Sequence, residues 1–371
     1  MKSNEGFRRC TKTVMDTTDP DITFDAEGVS NHYYEYFELA KKVLPPSDLR
    51  EQKLQEALKN IKTFGQGRDY DCILGLSGGV DSSYMALLAA KYGLRPLVIH
   101  FDNGWNSELA VKNIENIVKR LNFDLETFVI DWEEFRDIQV AFLKASVPNV
   151  EVPTDHAIKA SLYHIANKRG IRYILSGSNV VTEGILPDSW GHQADDLRSL
   201  RAIHDRYGKR PLKTFPQLSI ARYAYYTFVK KIRSFRILDY VDYNKAEAIK
   251  VLERELGWRY YGGKHYESVF TQFFQAYYLP AKFGIDKRKA HLSTLICSGQ
   301  YTREEALKEL EKELYPHDLL QEHLTYVLKK LQLSEMEWEE IMQSPIRSHR
   351  DFPSNEKLIR RLVGLKKKLI G

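Results

Sequence analysis

The sequence has little cysteine and no long apolar run. Its three cysteines, Cys10, Cys72 and Cys297, cannot supply the disulfide framework of a small secreted protein, so they indicate a reducing compartment. The apolar stretches are no longer than a strand, and we therefore expect no membrane span. Residues 1–10 carry charges and no apolar segment, which is not the pattern of a signal peptide. We expect a cytoplasmic protein.

Strong charge of either sign is also absent, since the formal net charge is +5 over 371 residues. Much of the basic excess lies near the C-terminus, at Arg360, Arg361, Lys366, Lys367 and Lys368. Such a run is typical of the solvated face of a terminal helix, and a surface for nucleic acid or an acidic partner is the alternative. We do not expect nucleic acid as the main partner.

The most informative segment is residues 75–83, which read GLSGGVDSS. An apolar run typical of a buried strand precedes it, and apolar residues at helical spacing follow it. The small side chains let a phosphate approach the backbone, and the free N–H groups of the helix's first turn favour an anion. The segment therefore predicts a polyphosphate-binding loop, with an unliganded Gly-rich turn as the alternative.

The loop is neither a Walker A loop, because the Gly-Lys-Ser/Thr ending is missing, nor a dinucleotide fingerprint, because the third glycine is missing. Its order Ser-Gly-Gly-x-Asp-Ser after a strand resembles the PP-loop of the ATP pyrophosphatase superfamily. Members of that superfamily cleave ATP between the α- and β-phosphates and transfer AMP to a carbonyl-type oxygen. The resemblance implies that ATP is bound by Ser77, Gly78, Gly79, Val80, Asp81, Ser82 and Ser83.

Strand and helix patterns alternate after residue 70. Apolar strands are predicted at Asp71–Leu76, Pro96–Phe101, Leu125–Ile130 and Arg172–Ser176, with a further one at Phe235–Val241. Unbroken apolar strands joined by helices predict an α/β fold with a parallel, Rossmann-like sheet covered on both faces, the adenine nucleotide α-hydrolase-like core of PP-loop enzymes. Sites in such sheets lie at the carboxyl ends of the strands.

We divide the chain into an irregular N-terminal knuckle at residues 1–47, a PP-loop domain at 48–258 with its core at about 66–190, and a C-terminal helical region at 259–371. Some related enzymes carry Cys-x-x-Cys on both arms of the knuckle. Here the four positions are Cys10, Thr13, Ser30 and Tyr33. Zinc requires about four N or S ligands, so we expect no zinc and predict that hydrogen bonds and apolar packing hold the knuckle.

Polar residues follow two of the predicted strands. Asp102 follows the second strand and is a candidate for contacting adenosine. Gly177, Asn179 and Glu183 follow the fourth, in a segment that resembles the element facing the PP-loop in ammonia-dependent NAD synthetases. That resemblance implies a Mg²⁺ ion shared by Asp81 and Glu183, a ligand set that suits magnesium. A surface role is the alternative for Glu183.

Four segments together resemble one family. They are residues 10–25, residues 77–83, residues 264–268 and residues 284–293. The family is the N-acetyl sugar amidotransferases of the WbpG and PseA type, from O-antigen and flagellin-glycan synthesis. The resemblance implies conversion of an acetamido group on a nucleotide-linked sugar into an acetamidino group, with ATP and ammonia. It also implies glutaminase and barrel subunits similar to those of imidazole glycerol phosphate synthase as the ammonia source.

Helix-end residues are further candidates in the C-terminal region. Lys264, Arg288 and Lys289 are candidates for binding the sugar nucleotide or the α-phosphate, and His265, Glu267 and His291 for moving protons; a structural role is the alternative for each. A tRNA-thiolating PP-loop enzyme is a rival function, but it needs a reactive cysteine pair. A non-catalytic scaffold is a second rival, against which the intact Ser77, Asp81 and Glu183 argue. The sequence leaves a homodimer open.

Overall fold

The computed structural model describes residues 6–263, 266–359 and 361. Its centre is a five-stranded parallel sheet with the order β3-β2-β1-β4-β5. The strands are β1 (Cys72–Gly75), β2 (Pro96–Asp102), β3 (Asp124–Val129), β4 (Tyr173–Leu175) and β5 (Arg233–Phe235). The predicted α/β class with a parallel Rossmann-like sheet is confirmed.

Helices surround this sheet and form the C-terminal region. In chain order they are α1 (Asn31–Val43), α2 (Arg50–Gly65), α3 (Val80–Lys91), α4 (Glu108–Leu121), α5 (Trp132–Ala145), α6 (Val152–Arg169), α7 (Val180–Glu183), α8 (Leu197–Tyr207), α9 (Ile220–Ala224), α10 (Lys245–Leu256), α11 (Val269–Phe273), α12 (Arg288–Cys297), α13 (Arg303–Glu311), α14 (His317–Leu331) and α15 (Glu335–Gln343). Two helices continue as π-helical turns, α9 through Tyr225–Val229 and α11 through Phe274–Phe283. Short 3₁₀ turns lie at Asp188–Trp190, Ile237–Tyr240 and His349–Asp351.

The central strands are apolar on both faces because both faces are covered. Along β1, Cys72 and Leu74 join the apolar cluster formed with α2, α3, α4 and α10, whereas Ile73 joins the cluster formed with α6. Alternate side chains of a strand point to opposite faces, so a strand buried on both sides is apolar throughout. The continuous apolar pattern of the sequence follows from this burial.

Local capping chemistry sets several helix boundaries. The side chains of Ser107, Asp131 and Asn244 each accept a hydrogen bond from a backbone N–H in the first turn of the helix that follows. α6 ends at Gly170, whose φ of +66° is a left-handed conformation that glycine adopts without a steric cost. These signals are readable from sequence because they act within one turn.

The predicted fifth strand was wrong in position. The strand covers Arg233–Phe235 instead of Phe235–Val241, and the residues after it form the 3₁₀ turn. Ile237 and Leu238 are consecutive and both fully buried, which an extended strand with one covered face would not allow. The turn instead directs both side chains into the cluster beneath α2.

The N-terminal region forms the predicted two-armed knuckle, but it is not irregular throughout. Bridges between Arg9 and Asp16 and between Phe24 and Ser30 close its arms, and the Cys10 sulfur accepts hydrogen bonds from the backbone of Thr13 and Ser30. The prediction of irregular chain up to residue 47 was wrong for α1, which covers residues 31–43. The helical pattern of these residues is weak, and tertiary packing of one helix face stabilises the helix.

The C-terminal helices share a large apolar cluster with α5, α8 and the loop after β2. The aromatic residues of the α11 segment belong to this core, since Phe270, Phe273 and Tyr278 are at most 2% exposed. Met15 of the knuckle and Tyr36 of α1 pack into the same cluster, so the knuckle, α1 and the C-terminal helices share one core. Within the described ranges, no helix combines the length and the apolar character that crossing a bilayer requires.

Candidate active site

The predicted PP-loop lies between β1 and α3, at the carboxyl end of the strand. It is closed by its own polar groups: the Ser77 and Ser82 hydroxyls lie 3.1 Å apart, the Gly79 N–H donates to Ser77 Oγ at 3.2 Å, and Ser82 Oγ donates to the Gly79 carbonyl at 3.1 Å. Gly78 has φ +84°, and a Cβ there would lie 2.8 Å from the Ala110 carbonyl oxygen. Only glycine fits this position without moving backbone.

Residues 258–267 lie against this loop. The Tyr261 hydroxyl accepts a hydrogen bond from the Val80 N–H at 3.1 Å, and the Trp258 indole N–H donates to the Gly78 carbonyl at 2.9 Å. A Cβ on Gly79 would lie 2.8 Å from Glu267 Oε1, so that carboxylate sits directly over the loop. In the anion-binding turn, the Val80 N–H is thus already bound by the Tyr261 hydroxyl.

A buried tyrosine contacts the first of the two predicted magnesium ligands, Asp81 and Glu183. The Tyr243 hydroxyl donates a hydrogen bond to Asp81 Oδ1. Burial, then the negative charge of Asp81, and more weakly that of Glu183, raise the pKa of Tyr243 far above its usual value. Asp81 lies in the first turn of α3 and Glu183 ends α7, so the two carboxylates follow adjacent strands.

Two carboxylates with phosphate oxygens and water are an appropriate donor set for Mg²⁺, which takes few protein ligands. Within residues 6–263, 266–359 and 361, no group of three or more His, Cys, Asp or Glu side chains is arranged to hold a metal ion.

Asp239 adds a third carboxylate beside this pair. Its Oδ1 accepts the Val180 N–H at 2.9 Å, at the start of α7, and its Oδ2 lies 2.9 Å from Arg236 Nε. Burial raises the pKa of Asp239; Arg236 and the Val180 N–H lower it, and Glu183 adds a small further rise. A cavity of about 280 Å³ also borders Asp239 and Tyr243, between α1 and α12.

The loop after β4 approaches the PP-loop closely. A Cβ on Gly177 would lie 3.2 Å from the backbone N of Ser82, so this glycine permits the contact. The Asn179 side chain caps α7 by accepting hydrogen bonds from the N–H and the hydroxyl of Thr182, at 2.9 and 3.1 Å. The predicted residues Gly177, Asn179 and Glu183 thus lie on one element beside Asp81.

The loop after β2 is fixed by polar contacts from both sides. Asp102 Oδ1 accepts hydrogen bonds from the Gly104 N–H at 2.8 Å and from the Asn106 amide at 3.3 Å. The His100 ring connects Asn106 to the Leu76 carbonyl, at 3.2 and 3.1 Å. Asp102 therefore shapes its own loop in this structure, and a contact with adenosine stays a prediction.

Lys330 of α14 holds the same loop from the C-terminal region. Its ammonium lies 4.8 Å from the Trp105 ring centroid, 5.0 Å from that of Trp132 and 5.3 Å from that of Tyr326, and it donates to the Gly104 carbonyl. Cations bind favourably over aromatic faces, more so where water is excluded. The C-terminal helices therefore control the conformation of a loop beside the PP-loop.

The remaining predicted site residues are divided between two places. His291 Nδ1 lies 3.1 Å from the Thr182 carbonyl, next to Glu183. Lys289 instead makes an ion pair of 2.7 Å with Asp16 of the knuckle. Arg288 pairs with Asp286 at 2.9 Å and donates to carbonyl groups at the C-terminal end of α13. Only His291 of these three contacts an element of the PP-loop site, and Lys264 and His265 lie outside the described residues.

Sequence reasoning missed Tyr243, Tyr261, Trp258 and Asp239. The run Trp258-Arg259-Tyr260-Tyr261 was a usable signal, because aromatic residues with polar tips cluster where apolar and polar surroundings meet. The wrong position of the fifth strand concealed Asp239 and Tyr243. Neither residue belongs to a motif that could have indicated it.

Comparison with known proteins assigns the last part of the chain. Residues 267–366 match the family described as LPS biosynthesis protein WbpG-like, C-terminal domain. Residues 267–366 are therefore similar to a WbpG-like C-terminal domain. The predicted resemblance to WbpG-type proteins is confirmed over these residues, and the WbpG-like domain includes Glu267, His291 and Lys330.

Other known proteins are similar over larger shares of the chain. An uncharacterized protein of Methanocaldococcus jannaschii is 25% identical over 289 residues, 76% of this chain and 86% of that protein. The glutamine-hydrolyzing GMP synthase of Thermus thermophilus is 30% identical over 156 residues, 40% of this chain and only 28% of that enzyme. A solved NMN synthetase from Francisella tularensis aligns with 72% of this chain and 98% of its own, at 14% identity and a TM-score of 0.31.

Proposed function

We propose that the protein is an ATP-dependent amidotransferase that converts an acetamido group of a nucleotide-linked sugar into an acetamidino group, in O-antigen or flagellin-glycan synthesis. The observation that carries the proposal is the combination of a PP-loop, paired with carboxylates at adjacent strand ends, and a WbpG-like domain in one chain. The PP-loop supports ATP as the cofactor, and the WbpG-like domain supports the sugar substrate.

The chemistry requires activation because an amide carbonyl is a poor electrophile. The amide oxygen attacks the α-phosphorus of ATP, a P–O bond forms, and the bond to the departing pyrophosphate breaks. Ammonia then adds to the activated carbon, the C–O bond to AMP breaks, and a proton passes to a base. Mg²⁺ bound with ATP between Asp81 and Glu183 would neutralise charge on the pyrophosphate.

The chain's own groups position the reactants. The first-turn N–H groups of α3 bind phosphate oxygens, which requires the Val80 N–H to exchange the Tyr261 hydroxyl for ATP. Glu267 lies over the loop and is the candidate general base for the proton that ammonia brings. Tyr243 keeps Asp81 oriented throughout.

The nitrogen source is a separate subunit in this proposal, because no cysteine of the chain suits glutamine hydrolysis. Cys72 is fully buried in β1, and burial raises the pKa of Cys297 to about 12. Burial opposes ionisation of Cys10, yet hydrogen bonds from Ser30 and Thr13 lower its pKa; the residue is nevertheless 0% exposed inside the knuckle. A catalytic nucleophile needs both activation and access.

The test supplies ATP, Mg²⁺ and a panel of UDP- and CMP-linked acetamido sugars, and measures pyrophosphate release and the mass of the sugar product. With ammonium salt at elevated pH, one sugar should exchange its amide oxygen for NH. Glutamine should support the reaction only after the glutaminase–barrel pair is added. Glutamine-dependent turnover by this chain alone, or no sugar-dependent pyrophosphate release across the panel, would contradict the proposal.

A further inference from the structure

A basic segment without acidic residues borders the sheet at β5. Residues 206–238 contain nine Lys and Arg and no Asp or Glu, whereas the whole chain has a formal charge of +5, so all other residues together carry −4. The nine are Arg206, Lys209, Arg210, Lys213, Arg222, Lys230, Lys231, Arg233 and Arg236. This segment is therefore strongly positive, in contrast to the average of the chain.

Large apolar side chains are exposed within the same segment. Tyr225, Phe228 and Val229 are 45%, 46% and 62% exposed. They lie three and four residues apart on one helical stretch and therefore share a face. Tyr226 and Ile232 are buried against α6 and anchor the segment to the core. Exposed apolar residues grouped in this way mark an interaction surface.

Four exposed cations surround this apolar tip. Arg222, Lys230, Lys231 and Arg233 are all exposed, and among the described residues none of them makes an ion pair. Arg210 and Arg236 differ, because they pair with Glu133 and Asp239. The Lys230 ammonium lies 5.6 Å from the Tyr225 ring centroid, so charge and apolar surface are contiguous. We call the set Arg222, Tyr225, Phe228, Val229, Lys230, Lys231 and Arg233 the β5 surface.

We propose that the β5 surface binds an anionic lipid bilayer. Apolar side chains that enter the headgroup boundary, surrounded by lysine and arginine that attract anionic headgroups, are the two components of peripheral membrane binding. Both components are present here within twelve residues, 222–233.

Two other occupants fit the surface less well. A second copy of the chain paired through this face would bring cations of the same sign together, which is unfavourable. RNA would use the cations and the two aromatic rings, but Val229, the most exposed of the three apolar side chains, has no ring to stack on a base.

The position of the surface is compatible with catalysis at the bilayer. The helical stretch leads into the amino end of β5, and the PP-loop lies at the carboxyl end of β1. In a parallel sheet the amino ends and the carboxyl ends of the strands lie on opposite sides of the molecule. Binding through the β5 surface therefore leaves the nucleotide site open to solution, and the inference does not depend on the identity of the sugar substrate.

The test is co-sedimentation of the full chain with vesicles of phosphatidylcholine alone and with added phosphatidylglycerol. The protein should bind the anionic vesicles, and weakly or not at all the neutral ones. The double variant Lys230→Glu with Lys231→Glu should weaken binding at least ~30-fold, since each basic residue near an anionic surface contributes substantially. The double variant Phe228→Ser with Val229→Ser should also weaken binding to anionic vesicles, and it should leave the salt dependence of that binding unchanged.

The matched control is Lys41→Glu with Lys42→Glu, another adjacent exposed lysine pair with the same change in net charge, on a helix that also carries Glu35 and Glu38. An equal loss of vesicle binding in this control would show that net charge alone determines binding, and it would overturn the proposal. The proposal would also be overturned by equal binding to neutral and anionic vesicles, by no binding to vesicles, or by binding of RNA but not of vesicles. A wild-type dimer that only the apolar variant converts into a monomer would overturn it too. Melting temperatures of all variants verify the fold.

Discussion

Tyr243 offers the sharpest test of the candidate site. It is 4% exposed and donates its hydroxyl hydrogen bond to Asp81, the acidic residue of the PP-loop. Because burial and the charge of Asp81 raise its pKa far above the usual value, the hydroxyl remains a donor across the working pH range. Tyr243→Phe removes this one donor and keeps the ring, so the packing in the cluster beneath α3 is preserved.

The magnitude follows from the charge of the acceptor. A hydrogen bond to a charged group contributes about 1.5–3 kcal/mol, and its acceptor, Asp81, is a half-buried carboxylate. If Asp81 must be held in place for ATP and Mg²⁺, kcat/KM for pyrophosphate release should fall roughly 10- to 150-fold. The Mg²⁺ concentration for half-maximal rate should rise, and the loss should be the same at pH 6 and pH 9.

The matched control is Tyr84→Phe. The Tyr84 ring centroid lies 5.5 Å from that of Tyr243, and its ring is partly buried in the same cluster, but its hydroxyl is not the donor to Asp81. This variant should keep kcat/KM within about twofold, since it loses no contact with the charged group. The reasoning is refuted if Tyr243→Phe retains the wild-type rate and Mg²⁺ dependence with an unchanged melting temperature.

Three other positions give separate tests. Burial, and more weakly the neighbouring His192, lower the pKa of His349 to about 3. The unfolded chain therefore binds more protons than the folded chain between about pH 3 and 6.5, and the free energy of unfolding falls on acidification in this range by up to ~1.4 kcal/mol per pH unit. In urea unfolding, the free energy of unfolding of His349→Gln should depend less steeply on pH. Lys330→Met keeps the aromatic contacts but loses the charge that holds the loop after β2, so KM for ATP should rise roughly tenfold with kcat unchanged, whereas a parallel fall in kcat would contradict a positioning role. Gly177→Ala places a methyl 3.2 Å from the PP-loop backbone and should reduce ATP binding by calorimetry, while Gly191→Ala, whose methyl would meet only a leucine side chain at 3.5 Å, should bind ATP normally.

Much of the fold was predictable because its signals are local. The buried strands are continuous apolar runs, and Gly78 and the small residues around it satisfy a backbone requirement within one loop. The parallel order brings Asp81 and the segment of Gly177 to one edge, which the strand–helix alternation implies. The errors at α1 and β5 occurred where weak local patterns are decided by packing against distant residues.

The candidate site divides in the same way. The sequence by itself determined the loop, the two carboxylates and the strand ends that carry them, because strand–loop–helix geometry follows from neighbouring residues. Only the tertiary structure decided which groups lie over the loop: Tyr243, Trp258 and Tyr261 contact it across 162, 180 and 181 residues of chain. Contacts at such separations leave no periodic trace in a single sequence, since they depend on how complete elements pack. The same holds for Lys330, whose ammonium reaches a carbonyl 226 residues away.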